Sequence, residues 1–316
     1  PFDIGIQDSF SIWFSNWWIT GIGHETTNPT ALGITGFLGV LFFGSMGLLR
    51  LVLTLGMLPI GAVGIWYFLK PFNSPWIRVA GASIYLASPV PYDALRSGSW
   101  SGLILYGTLP WLLVLLAKAG TISPFGPVGG PIGRGVLPSN WLRETLGLGI
   151  LIGFMIAFVP FAGIEVLAIV GAIFVGSLLA GWPSGTFRLI GVLCMGGIVA
   201  LAINLPWLID VVTFDPSWQW FVGTRPSSSF STDLSDSLRL TPDGSGNRIF
   251  GWGFLVISIV PLLLAKGERW AWAIRGWVMY LGGISIFWVE NNNWLDFPLP
   301  RPEVLLAPAS LGVAVA

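Results

Sequence analysis

The chain has 316 residues, 15 Lys/Arg against 15 Asp/Glu, and only 9% charged residues beside 54% hydrophobic ones. Soluble domains carry about 25% charged residues, so this composition excludes an ordinary soluble globular protein. Zero net charge and no basic tract argue against nucleic acid as a partner, and one His with one Cys cannot build a metal cluster of Cys and His, nor an intrachain disulfide.

Residues 1–29 read as an outer amphipathic loop. Phe10, Trp13, Phe14, Trp17 and Trp18 recur at i, i+3, i+4, i+7 and i+8, which places all five on one face of a helix. Asp8 or Ser9 could cap that helix, and Gly21 and Gly23 could end it. An aromatic stripe with few charges suits a helix lying along a membrane surface or one packed on a transmembrane bundle. Ala31–Phe43 is apolar but short of the ~20 residues that cross a hydrocarbon core of ~30 Å, so it reads as a re-entrant or interfacial helix.

Spanning segments are predicted near 48–69, 76–92, 99–117, 143–160, 163–182, 187–209, 250–266, 270–289 and from 303 onward. The fold class is therefore all-α, a polytopic transmembrane helical bundle of about nine spanning helices plus the re-entrant or interfacial segment. Residues 1–316 read as a single transmembrane domain. The chain begins at Pro1 and ends in an apolar run, so it is expected to be a fragment of a longer chain. Pro59, Pro89, Pro91, Pro110, Pro160 and Pro206 fall in or near helices, where each can kink or end one.

The charges are sorted along the chain. Basic clusters occupy Lys70–Arg78, Lys118–Arg143 and Lys266–Arg275; acidic or mixed ones occupy Asp93–Arg96, Asp210–Asp243 and Glu290–Glu303. Basic loops stay cytoplasmic. Loops 70–76, 118–142, 183–187 and 266–270 are then inside, and 92–98, 160–163, 210–249 and 289–303 outside. The long extracytoplasmic loop 210–249 is rich in Ser, Asp, Pro and Gly, and its 225–247 part has few apolar residues. If Ala31–Phe43 does not cross, residues 1–29 are outside too. The 18 Trp suit the headgroup level, and Cys194 reads as a small packing residue.

Chemistry must come from carboxylates, Arg and His at the outer face. Asp3 and Asp8 are the catalytic candidates: a carboxylate at the membrane surface could act as general base on an acceptor hydroxyl, or help hold a cation beside a phosphate. The alternative reading is a solvated loop residue and a helix N-cap. His24 and Glu25 are candidates for substrate binding, since His could bind a phosphate or move a proton; a polar loop pair is the alternative. Asp93 and Arg96, three apart in Pro-Tyr-Asp-Ala-Leu-Arg-Ser-Gly, share a face on a helical turn. The planar fork of Arg suits a pyrophosphate, and a local ion pair is the alternative. Glu165 and Arg50 fall inside predicted spans but near helix ends, where snorkelling to the interface explains them. No cofactor follows from these residues, and a divalent cation is the one they could help hold.

The chain holds, in order, Trp13-Phe14-Ser15-Asn16-Trp17-Trp18, Asn28-Pro29-Thr30-Ala31-Leu32, Leu58-Pro59-Ile60-Gly61-Ala62, Arg78 to Pro89, Leu109-Pro110-Trp111-Leu112-Leu113 and Leu299 to Pro308. This collinear set resembles the membrane region of large actinobacterial polytopic glycosyltransferase-like proteins, some of which carry a fused cytoplasmic family-2 glycosyltransferase domain. That membrane region is similar to the GT-C fold, including mycobacterial arabinofuranosyltransferases. The resemblance implies a multi-pass plasma-membrane protein of cell-envelope polysaccharide assembly. It also implies a polyprenyl-phosphate sugar donor, an envelope glycan acceptor, an extracytoplasmic site and an inverting transfer. Such enzymes place an acidic residue, often in a spaced pair, in the first outer loop; Asp3 and Asp8 lie there, five apart rather than two. A transporter or flippase, or a non-catalytic scaffold for lipid-linked glycans, stays open as the other reading.

Overall fold

The computed structural model describes residues 5–15, 17–18, 24–25, 30–125, 141–181, 185–213, 222, 233–241, 248–292, 294 and 299–316. Helix α1 (Ile6–Ser15) is amphipathic, and its apolar side lies on α2 (Thr30–Leu41). Small residues at 33, 36 and 39 make that possible. A Cβ at Gly33 would stand 2.8 Å from the Trp13 indole, one at Gly36 3.2 Å from the Phe10 ring, and one at Gly39 3.0 Å from Ile6. The stripe thus packs against a helix rather than facing only the membrane surface, although Phe14 remains 77% exposed. Trp17 and Trp18 do not share its face. The helix stops at Ser15, and Trp17–Trp18 pairs antiparallel with His24–Glu25.

After α2, Phe43 and Gly44 take positive φ values of 53° and 85°, and the chain bends by 113° into α3 (Met46–Thr54). The Ser45 side chain caps α3 by accepting from the Leu48 N–H. Such an elbow is a broken span or a re-entrant loop.

Among the described residues, four helices are long and apolar enough to cross a membrane: α7 (Trp100–Ala119), α8 (Trp141–Phe158), α9 (Ala162–Leu179) and α14 (Glu268–Asn291); counting the α2–α3 pair as one span makes five. The other expected crossings are shorter or interrupted. Segment 48–69 divides at Leu55–Gly56 into α3 and α4 (Met57–Phe68). Segment 76–92 divides at Ser88–Pro89 into α5 (Pro75–Ala87) and α6 (Val90–Arg96), because proline cannot continue the hydrogen-bond ladder. Segment 187–209 divides at Asn204 into α10 (Thr186–Ile203) and α11 (Leu205–Thr213). The long loop contains a short α12 (Leu234–Leu238), whose Leu238 carbonyl accepts from the Tyr280 hydroxyl. Helices α13 (Arg248–Leu264), α15 (Pro302–Leu305) and α16 (Ala307–Val315) complete the set.

Helix α7 is the axis of the bundle, buried almost throughout, with Pro110 accommodated inside it. Two tyrosines fasten it to α5. The Tyr85 hydroxyl donates to the Tyr106 carbonyl at 2.6 Å, the Tyr106 hydroxyl donates to the Tyr85 carbonyl, and the rings stack at 4.1 Å and 7°. Helices α14 and α16 touch through Gly276 and Gly312, where a Cβ on either would meet the other's carbonyl oxygen at 2.6 or 2.5 Å. Lipid offers helices no hydrophobic drive to associate, so such close contact does the holding. Outward faces stay apolar, as at Leu167, Ile198 and Leu263, which suits hydrocarbon and would be an aggregation surface in water.

The charge-sorted loops gather at opposite ends of α7, which is ~30 Å long at ~1.5 Å per residue. At its C-terminal end, Arg269 donates to the Phe72 carbonyl, Trp272 to the Ser123 carbonyl, Arg78 to the Lys70 carbonyl and Lys118 to the Tyr67 hydroxyl. At its N-terminal end, Ser97 bonds Glu303, Arg301 donates to the Ser97 carbonyl, and Trp100 meets Phe158 edge-on at 5.5 Å. The basic loops 70–76, 118–125 and 266–270 are thus together, and so are the turns at 92–98, 158–162 and 299–303.

Candidate functional site

The predicted site residues fall on three places. Asp3 lies outside the described residues. Asp8 is in the first turn of α1 and exposed, and α1 packs on α2. Among the described residues no hydrogen bond or ion pair joins Asp8 to Asp93 or Arg96. His24 and Glu25 form the strand that pairs with Trp17–Trp18, and their side chains are outside what the structure describes. Asp93 and Arg96 both lie on α6, the first half-buried and the second exposed, three apart on one face as the spacing predicts.

The α6 turn meets a segment that sequence reading assigned no chemistry. Ser97 closes α6, its N–H donating to the Asp93 carbonyl at 2.8 Å. Its hydroxyl donates to Glu303 Oε1 at 2.7 Å, and Arg301 donates from Nη1 to the Ser97 carbonyl at 3.3 Å. Glu303 is 7% exposed, and its second oxygen, Oε2, is buried with no hydrogen-bond partner among the described residues. Gly102 makes the seat: a Cβ there would lie 3.0 Å from the Glu303 Cβ. Pro302 starts α15 and fixes the entry of Glu303. Ser97, Arg301 and Glu303 are therefore hydrogen-bonded together at the N-terminal end of α7, where Ser97 closes the helix that carries Asp93 and Arg96.

Beside the cluster is an apolar cavity of about 510 Å³ between α9, α14 and the 299–308 segment. Phe161, Ile169, Met279, Leu299 and Pro308 are among its walls, and Leu305 stands two residues from Glu303. The volume lies within the ~300–1,000 Å³ of small-molecule sites. One polar side chain lines it. Glu165, in the first turn of α9, is 4% exposed, so it does not snorkel to the interface as its position near a helix end predicts. Its Oε2 is buried without a hydrogen-bond partner among the described residues.

Among the described residues no group of three or more His, Cys, Asp or Glu side chains is placed to hold a metal ion. The Ser97–Arg301–Glu303 group supplies a guanidinium and a carboxyl, chemistry suited to an anionic headgroup and a hydroxyl. Comparison with protein-family models, with curated proteins and with solved structures finds no match.

Proposed function

We propose that this chain is a membrane-embedded, GT-C-like glycosyltransferase that uses a polyprenyl-phosphate-linked sugar in envelope polysaccharide assembly at the plasma membrane. One observation supports it above the others: the hydrogen-bonded group of Ser97, Arg301 and Glu303 adjoins a chain-sized apolar cavity through the shared 299–308 segment, and Asp93 and Arg96 lie on the helix that Ser97 closes. A lipid-phosphate sugar has that same division into a charged head and a long apolar tail. The interrupted segments, counted as crossings, bring the bundle toward nine.

In this reading the acceptor oxygen bonds to the anomeric carbon as the bond from that carbon to the phosphate oxygen breaks. The acceptor proton passes to a carboxylate. Asp3 or Asp8 is the sequence candidate for that base, and Glu303 joins them because one of its oxygens is held by Ser97 while the other is not. Arg96 and Arg301 take the charge of the departing polyprenyl phosphate. His24, Glu25 and Asp93 orient the head. A divalent cation, if used, would sit beside that phosphate.

The test is sugar transfer from a panel of polyprenyl-phosphate sugars in reconstituted vesicles, comparing wild type with Arg96→Ala, Glu303→Gln and Asp8→Asn. Removal of the working acid–base group is expected to lower transfer by about 10²–10⁴-fold. No transfer with any donor, together with movement of a labelled lipid-linked glycan between leaflets, would favour the flippase. Full function in all three variants would leave the scaffold.

A further inference from the structure

We infer that the cavity between α9, α14 and the 299–308 segment is a binding site for an aliphatic chain that carries a hydrogen-bond-donating hydroxyl, with Glu165 as the residue that recognises the hydroxyl. The cavity walls are unbalanced. Every lining residue is apolar or glycine except Glu165. A buried carboxyl oxygen without a partner costs free energy, and membrane-embedded carboxyls ordinarily pair with one another, with backbone or with a ligand. Among the described residues Glu165 has no hydrogen bond or ion pair.

The surroundings narrow what can satisfy it. A hydrated ion would need several oxygens, and the cavity supplies one carboxyl. A free amino acid or sugar would bury many polar groups against Ile169, Val175, Met279 and Leu305. A chain that is apolar along its length and donates one hydrogen bond near Phe161, at the first turn of α9, matches the walls at every point. An ordinary hydrocarbon tail fills the space but leaves the carboxyl unsatisfied, so the hydroxyl is what separates a specific occupant from bulk lipid. Two wall positions are open in a useful way: at Gly171 and Gly282 an added Cβ would meet no atom within 4 Å, so a larger side chain there can enter the cavity without displacing protein.

This inference uses the cavity of the proposed function but not the sugar transfer. Its experiment therefore runs without sugar donor or acceptor, and it can fail or succeed independently of the transferase reading. The probes are a diazirine-bearing long-chain alcohol and its methyl ether, added to the full-length protein in phosphatidylcholine vesicles, with labelled residues located by mass spectrometry. Wild type is expected to be labelled on cavity residues such as Ala172, Val278 and Met279, with the alcohol preferred roughly two- to tenfold over the ether, the span of one net hydrogen bond. Glu165→Leu should abolish the preference while retaining ether labelling. Glu165→Gln, which still accepts and donates, should keep most of it, and Gly282→Phe should remove cavity labelling by both probes. Equal labelling by alcohol and ether in wild type would mean an ordinary lipid tail only and would overturn the proposal. So would a preference that survives Glu165→Leu, or absence of labelling at these walls.

Discussion

Gly276→Ala tests how this bundle is held together. Its Cβ would stand 2.6 Å from the Gly312 carbonyl oxygen and 2.7 Å from the Ala316 nitrogen, and a Cβ on Gly312 would stand 2.5 Å from the Gly276 carbonyl oxygen. All three neighbours are backbone, so no rotamer change relieves the clash; α14 and α16 must separate. Overpacking of this kind costs ~1–3 kcal/mol, and rigid neighbours place it at the upper end. The better helix propensity of Ala returns ~0.5–1 kcal/mol. The net expectation is a loss of about 2 kcal/mol, roughly a 30-fold rise in the unfolded fraction. Gly282→Ala is the control on the same helix. Nothing lies within 4 Å of its added Cβ, so it should be neutral or stabilising by the propensity alone. The assay is reversible unfolding in bicelles followed by tryptophan fluorescence. Gly276→Ala combined with Gly312→Ala should cost less than the sum of the two, because one separation relieves both. Equal effects of Gly276→Ala and Gly282→Ala would refute the reasoning.

Two further outcomes follow from the placement of the loops and from the core. In a Cys194→Ala background, Asn73→Cys and Trp294→Cys should react with a membrane-impermeant maleimide from opposite faces of the membrane; labelling from one face would undo the two-ended arrangement. Tyr85→Phe and Tyr106→Phe should each destabilise by about 1 kcal/mol, and a double-mutant cycle should show coupling through the reciprocal hydrogen bonds and the stacked rings, where simple additivity would deny it.

How much of this was readable beforehand depended on range. Helix α7 follows from twenty consecutive residues with one late charge, and the turn carrying Asp93 and Arg96 follows from i, i+3 spacing. The gathering of the basic loops at one end was legible because Lys and Arg are segregated along the chain, and the hydrogen bonds of Arg269 and Trp272 bring those loops together. The breaks were less legible. Asn204 interrupts an apolar run because its amide donates to the Gly153 carbonyl of α8, a partner 51 positions away. Trp17 and Trp18 fit the helical period and leave the helix for a pairing with His24–Glu25 that periodicity cannot express. Glu303 and Ser97 are 206 residues apart, so no local pattern joins them. Glu165 offered the opposite trap: nearness to a helix end suggested an escape to water, and burial at 4% exposure, a tertiary property, keeps it from that route.

The segment from Leu299 to Pro308 is a single short wall with a carboxyl on one side and cavity-lining side chains on the other. Whatever occupies the cavity presses on Leu305, and whatever binds the polar cluster engages Arg301 and Glu303, so both act on the same few backbone torsions. Under the two binding proposals the places are expected to be linked, and any such linkage is reciprocal: an occupant of one that shifts this wall changes affinity at the other by the same factor.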